Sequence, residues 1–188
     1  ACARADMGMD VKFGTSGLRG VAADLLAGAA ARHAAAFCHY LRASGHAPAS
    51  DKVFLGRDRR QSSPSLAGEV ANAIACAGFE AVECGEVPTP ALASWSFAHD
   101  GAAVMITGSH IPADRNGLKF YLPGAEIRKS DEAGIVAALD AAAPHGGPAP
   151  VTRISGDVVL EAWHRRYEGL LSVRQLAGLR IGIHEHSS

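Results

Sequence analysis

Short, mostly apolar runs at 52–56, 80–84, 102–106 and 118–122 punctuate the chain. Runs of this kind, bounded by Gly, Asp or Ser, read as strands buried in a sheet. Between them, apolar residues recur every three or four positions over 25–44, 63–77 and 90–98, the period of a helix with one buried face. Asp24 reads as the N-cap of the first helix and Gly45 as its stop. Ser63-Pro64 puts a capping hydroxyl and a first-turn proline at the start of the second, which ends at Gly78. Ser130 caps a last helix over 131–142. The turn Asp114-Arg115-Asn116-Gly117 joins 102–106 to 118–122 directly, so that pair is expected to be antiparallel. Residues 11–20 read as a Gly-rich loop with a strand-like entry. Strands alternating with helices predict an α/β fold: a mixed, mostly parallel sheet with flanking helices.

The Pro/Gly-rich stretch 144–150 reads as a linker, which makes 1–143 one domain. After it come a strand-to-helix segment over 151–171 and a strand over 179–184. A domain ending directly after a strand lacks its covering helix, so 151–188 is expected to be the incomplete start of a second domain.

Composition then narrows the class. Hydrophobic residues make up 48% of the 188, enough for a packed core. The formal net charge is -1 and no basic stripe is visible, so nucleic acid is not an expected partner. No apolar run reaches the roughly 18 residues of a membrane span, and 1–10 lacks the apolar segment of a signal peptide. A cytoplasmic protein without a membrane partner is expected. Cys2, Cys38, Cys76 and Cys84 show no CxxC spacing and read as reduced thiols.

The candidate chemistry centres on Met105-Ile106-Thr107-Gly108-Ser109-His110-Ile111-Pro112. An apolar strand ends there in a small, polar loop that presents the Ser109 hydroxyl beside the His110 imidazole. A serine hydroxyl is a weak nucleophile until a base or a cation assists it. Gly108 lets the backbone approach an anion closely, and successive N–H groups in such a loop can form an anion-binding nest. Lys119, on the returning strand, can neutralise phosphate or shuttle a proton. Strand alternation puts Lys119 and Tyr121 on one face, Leu118 and Phe120 on the other. Arg19, in the Gly-rich stretch, offers a planar fork that suits phosphate. Arg57 and Asp58 follow a strand, where loops face a ligand crevice, and read as a pair that shapes the site or touches substrate. Arg59, Arg60 and Arg115 read as solvated rim charges, and Val87-Pro88-Thr89-Pro90 as a stiff loop. His184 and His186 share a strand face, but two histidines without a third ligand make a weak metal site.

Four segments, in order along the chain, resemble one family. They are Phe13-Gly14-Thr15-Ser16-Gly17-Leu18-Arg19-Gly20, then Gly56-Arg57-Asp58, then Gly85-Glu86-Val87-Pro88-Thr89-Pro90, and then Thr107 to Pro112 with Asn116-Gly117-Leu118-Lys119. Together they resemble the α-D-phosphohexomutases, the phosphomannomutase/phosphoglucomutase superfamily, over the N-terminal portion of such an enzyme. The resemblance implies phosphoryl transfer between hexose 1-phosphate and 6-phosphate through a phosphoserine and a bound 1,6-bisphosphate.

On that reading Ser109 carries the phosphoryl group, and an oxygen of its phosphate is a Mg²⁺ ligand. His110 assists near the reacting hydroxyl or fixes the loop. Lys119 is the general acid/base, and Arg19 faces the phosphoserine. Thr15, Ser16, Arg57 and Gly108 lie around substrate or phosphate. Implied partners are a hexose phosphate, a glucose or mannose 1,6-bisphosphate activator, the remaining domains of the same enzyme, and a second copy in a homodimer. Two features depart from the family. Ile111 stands where Asn is usual, and the DxDxDR-type Mg²⁺ loop does not occur in these 188 residues. Ile111 leaves open a sugar-phosphate-binding module without chemistry. A serine hydrolase using Ser109 and His110 is the other alternative, and it lacks a G-x-S-x-G elbow.

Overall fold

The computed structural model describes residues 11–14, 17–142, 147–168 and 177–183. Strands β1 (Val11–Gly14) and β2 (Gly17–Val21) open it as an antiparallel hairpin. A helical turn, α1 (Ala22–Asp24), and a segment kinked at Gly28, Leu25–Ala29, lead into α2 (Ala30–Ala43). Then follow β3 (Lys52–Arg57), α3 (Ser63–Cys76), β4 (Glu80–Glu86), α4 (Thr89–Ala98), β5 (Ala102–Ile106) and β6 (Arg115–Leu122). The last elements are β7 (Ala125–Glu126), α5 (Lys129–Ala137), a 3₁₀ turn, Ala138–Asp140, β8 (Thr152–Arg153) and α6 (Gly156–Arg165).

The strands form one mixed sheet in the order β1-β2-β6-β5-β3-β4-β8, with β7 on β6. β5, β3, β4 and β8 run parallel, whereas β1, β2, β6 and β5 pair antiparallel. Helices cover both faces, which makes three layers. Val53, Leu55, Val104, Ile106, Leu118 and Phe120 face a core shared with α2, α3 and α5. Phe54, Met105 and Tyr121 face the opposite core, shared with α4 and α6. The alternation expected along 118–121 is therefore present. Every residue of β5 is buried, as expected of a central strand covered on both sides. Phe120 anchors the larger core, with ring centroids 5.7 Å from Phe13 and 5.0 Å from Phe37.

Several boundaries differ from the sequence reading. The loop expected at 11–20 is a hairpin whose second strand pairs with Arg115–Asn116–Gly117, so β6 begins inside the expected turn. Asp24 is not an N-cap: Val21 is, and Asp24 lies within the helical turn. Gly28, at φ 111°, breaks the long helix into two. Ser63 is the first residue of α3 rather than its cap, because its hydroxyl donates to Asp58 instead. α5 starts at Lys129, where the Arg128 N–H donates to the Asp131 carboxylate at 2.6 Å. Residues 179–183 form no strand: Leu179, Ile181 and Ile183 are exposed, and no described strand lies alongside to pair with them. His184 and His186 lie outside the described residues.

Part of the expected linker, 144–146, also lies outside them. Beyond it the Ala149 N–H donates to Asn72 on α3 at 2.8 Å. The segment read as opening a second domain begins by extending this sheet, since β8 pairs with β4 and α6 packs through Val159 against the core beneath α4. No helix among the described residues is long and apolar enough to cross a membrane.

Candidate active site

The parallel strands β3, β4 and β5 end together. α3 leaves β3 for one face of the sheet and α4 leaves β4 for the other, which opens a crevice at their carboxyl ends. A cavity of about 420 Å³ lies there. Its walls include Arg57, Asp58, Arg59, Glu86, Thr107, Ser109 and Lys119, with Pro88, Pro90 and Leu160 closing one side.

Asp58 is the hub of the site. Its N–H continues the sheet by donating to Ile106 O at 2.9 Å. Its carboxylate accepts from the Ser63 hydroxyl at 2.5 Å, the Arg60 N–H at 3.1 Å, the Thr107 hydroxyl at 2.9 Å and the Gly108 N–H at 3.1 Å. Arg60 Nε lies 3.3 Å from the same carboxylate, and the two side chains are only 14% and 12% exposed. A charge this buried persists only when its lone pairs are filled, and here they are. The buried Asn116 amide donates to Ser62 and Ser63 at 2.8 and 2.9 Å, which fixes the Ser63 hydroxyl in turn.

Ser109 sits at the exposed tip of this network, in the left-handed region at φ 51°. Few non-glycine residues adopt that conformation, and the surroundings must hold it. Its N–H donates to Thr107 Oγ1 at 2.9 Å, and its carbonyl accepts from Arg60 Nη2 at 3.0 Å. Its Oγ lies 3.3 Å from His110 Nδ1, so the structure brings those two side chains together. No third side chain among the described residues orients His110, which leaves the pair short of a triad.

Lys119 projects from β6 into the cavity and is half-buried. It has no ion-pair or hydrogen-bond partner among the described residues. Arg19, on β2, shares that face, opposite Gly117 in the register. A side chain at position 117 would meet Arg19 Cγ, Thr107 O and Leu18 O, so glycine keeps Arg19 close to the base of the Ser109 loop. Arg19 does not line the cavity itself. Thr15 and Ser16 lie outside the described residues.

Arg57 and Asp58 are not a pair. Arg57 Nη1 binds Glu86 at 2.8 Å, and Arg59 Nε binds the other carboxylate oxygen at 3.1 Å. The hydrogen bond from Arg57, reinforced by Arg59, holds the Glu86 carboxyl below its ordinary value. Arg60 is not a rim charge either. It donates to the carbonyls of Ser109, Ile111, Pro112 and Arg115, at 3.0, 2.6, 2.7 and 3.2 Å. Gly108 lies directly against that guanidinium, which a Cβ at 108 would strike. Arg60, Glu86, Ser63, Asn116 and Thr107 thus belong to the site although the sequence reading gave none of them this role. The signal for Arg60 was its place three residues beyond Arg57, in the loop that leaves β3.

Among the described residues no three His, Cys, Asp or Glu side chains converge as a metal site requires. Ser109 alone cannot hold Mg²⁺.

Residues 10–145 match the family described as phosphoglucomutase/phosphomannomutase, alpha/beta/alpha domain I. A phosphomannomutase of Sinorhizobium fredii is 45% identical over 187 residues, which covers 96% of this chain and 39% of that protein. A phosphoglucosamine mutase of Mycolicibacterium paratuberculosis is 38% identical over 149 residues, covering 78% of this chain and 33% of that protein. The crystal structure of a protein titled putative phosphomannomutase from Thermus thermophilus superposes with a TM-score of 0.72 at 27% identity, over 90% of this chain and 38% of its own. The chain thus spans well under half the length of these relatives. On that match it belongs to the phosphoglucomutase/phosphomannomutase family.

Proposed function

We propose that this chain is the phosphoryl-carrying N-terminal part of a phosphohexomutase. The observation that carries the reading is the presentation of Ser109. Its backbone is held at both polar atoms, its hydroxyl stands at the mouth of the cavity, and a lysine with no counter-charge among the described residues faces the same space. Such a cation lowers the cost of bringing in a phosphate.

The transfer runs as follows. The bond from phosphorus to Ser109 Oγ breaks as a hexose 1-phosphate or 6-phosphate hydroxyl bonds to phosphorus. Lys119 gives a proton to the departing Ser109 Oγ, and the hydroxyl proton passes to the Lys119 amine so formed or to His110. The product is a 1,6-bisphosphate, which turns over and returns its other phosphoryl group to Ser109. Arg19, with Thr15 and Ser16 ahead of it in the sequence, recognises phosphate charge; Arg57 is part of the cavity wall, and Gly108 lets the loop approach the phosphate. Glucose or mannose 1,6-bisphosphate primes the serine. Mg²⁺, if used, needs carboxylate ligands from outside these residues. The remaining domains of the enzyme follow α6, and the enzyme works in the cytoplasm.

Phosphopeptide mapping after incubation with glucose 1,6-bisphosphate tests the reading. Phosphate on Ser109 of the full-length protein, and loss of mutase turnover in Ser109→Ala, are the expected results. Wild-type turnover in Ser109→Ala would end it. The 188-residue chain alone is expected to be nearly inactive on mannose 1-phosphate.

A further inference from the structure

The loop that leaves β5 and re-enters the sheet at β6 has no regular structure of its own, yet three of its carbonyls and that of the first β6 residue converge on one side chain. Those of Ser109, Ile111 and Pro112, with Arg115 at the start of β6, all accept from Arg60. The guanidinium lies on Gly108 and pairs with Asp58, which itself holds Thr107 and the Gly108 N–H. A planar fork of five N–H groups can serve several fixed acceptors at once, whereas an ammonium donates from a single point. Every Arg60 contact in the loop is to backbone. None of these contacts takes up the Ser109 hydroxyl, whose partner is His110 Nδ1 at 3.3 Å.

We infer that Arg60 is a positioning residue for phosphoryl transfer at Ser109: it holds the left-handed serine so that Oγ stands in line with the incoming phosphorus. This rests on the phosphoryl-carrier reading above. It also explains why Ile111 is tolerated. The clamp takes that residue's carbonyl, and its side chain has no part in it.

Two measurements test the inference, on Arg60→Lys and Arg60→Ala. The first is amide hydrogen exchange of the 188-residue chain. Loop amides over 108–115 should exchange at least about tenfold faster in both variants, the factor that losing one charge-assisted hydrogen bond implies. Protection in β3 and β5 should stay as in wild type in Arg60→Lys, which keeps a charge beside Asp58, and should fall in Arg60→Ala only by the loss of global stability that urea unfolding gives. Wild-type exchange in the loop, or loss of protection in Arg60→Lys that is equal throughout the sheet, would overturn the clamp.

The second is steady-state kinetics of the full-length protein. A carrier oxygen displaced by about 1 Å costs roughly 10²-fold, so kcat should fall by that order in Arg60→Lys with hexose phosphate affinity unchanged. Added guanidinium ion should restore part of the rate in Arg60→Ala. A rise in KM with kcat intact would make Arg60 a substrate contact instead. Should wild type carry no phosphate on Ser109, the function reading fails while the exchange experiment still decides the clamp.

Discussion

Replacing Asp58 by Asn removes one charge and turns one of its two oxygens into an N–H donor. The wild-type carboxylate meets only donors: the Ser63 and Thr107 hydroxyls, the Arg60 and Gly108 N–H groups, and Arg60 Nε. An amide satisfies those on one side only and turns donor against donor on the other. Arg60 keeps its charge in a place where it is 14% exposed and loses its counter-ion. Breaking a buried pair from one side costs about 3–5 kcal/mol. The remaining exposure of both groups puts this pair at the lower end, about 3 kcal/mol. For a chain of this size each kcal/mol moves Tm by about 2–4 °C, so Tm should drop by about 6–12 °C. Thermal unfolding followed by far-UV circular dichroism measures it, and urea unfolding checks that m is unchanged. Asp58→Asn combined with Arg60→Met should cost less than the two added, since the double variant leaves no orphaned charge. A loss under about 1 kcal/mol, the range of an exposed surface bridge, or strict additivity, would refute the hub.

Phe120→Ala opens a void between Phe13 and Phe37 beneath a residue that is 1% exposed, and should lower stability by about 3–5 kcal/mol in denaturant unfolding. Burial lowers the His33 pKa from its ordinary value, and its Nδ1 lies 2.8 Å from Ala29 O. The unfolded chain therefore binds the proton more readily. Stability should be full above about pH 6.5 and fall on acidification through the lowered folded value, and His33→Gln should flatten that slope in urea titrations. Burial pushes the Cys38 and Cys84 thiols up to about 12, so both should resist iodoacetamide at pH 8 in the folded chain while exposed Cys76 reacts, as peptide mass spectrometry will show.

The layers were legible because burial repeats locally. β5 is a continuous apolar run, β3 and β4 hold short apolar stretches at their centres, and α3 repeats its apolar face at helical spacing, so each element announces itself within its own few residues. The edge of the sheet was not. β2 reads Gly-Leu-Arg-Gly-Val, with little strand propensity, and is a strand because Leu18 to Val21 find partners on β6 nearly a hundred residues away. Gly28 was equally silent, since an alanine-rich stretch keeps its helical period across a break that a single φ produces.

The site divides the same way. Ser109, His110 and Lys119 lie on one hairpin, and the structure does bring all three to the crevice or its rim. What holds Ser109 in place comes from a different loop, through long side chains whose partners no spacing rule predicts. One part was nevertheless open to reasoning. Arg57 ends a strand and Asp58 follows it, so successive side chains point to opposite sides and cannot pair. Arg57 must then look sideways to β4, where the register sets it opposite Glu86, and Asp58 must look toward the loop after β5. The carboxylate that sequence reading tied to its neighbour is thereby released to do something else. It fixes Arg60, Arg60 fixes four carbonyls, and a serine fifty residues away is held in a conformation it would not choose alone.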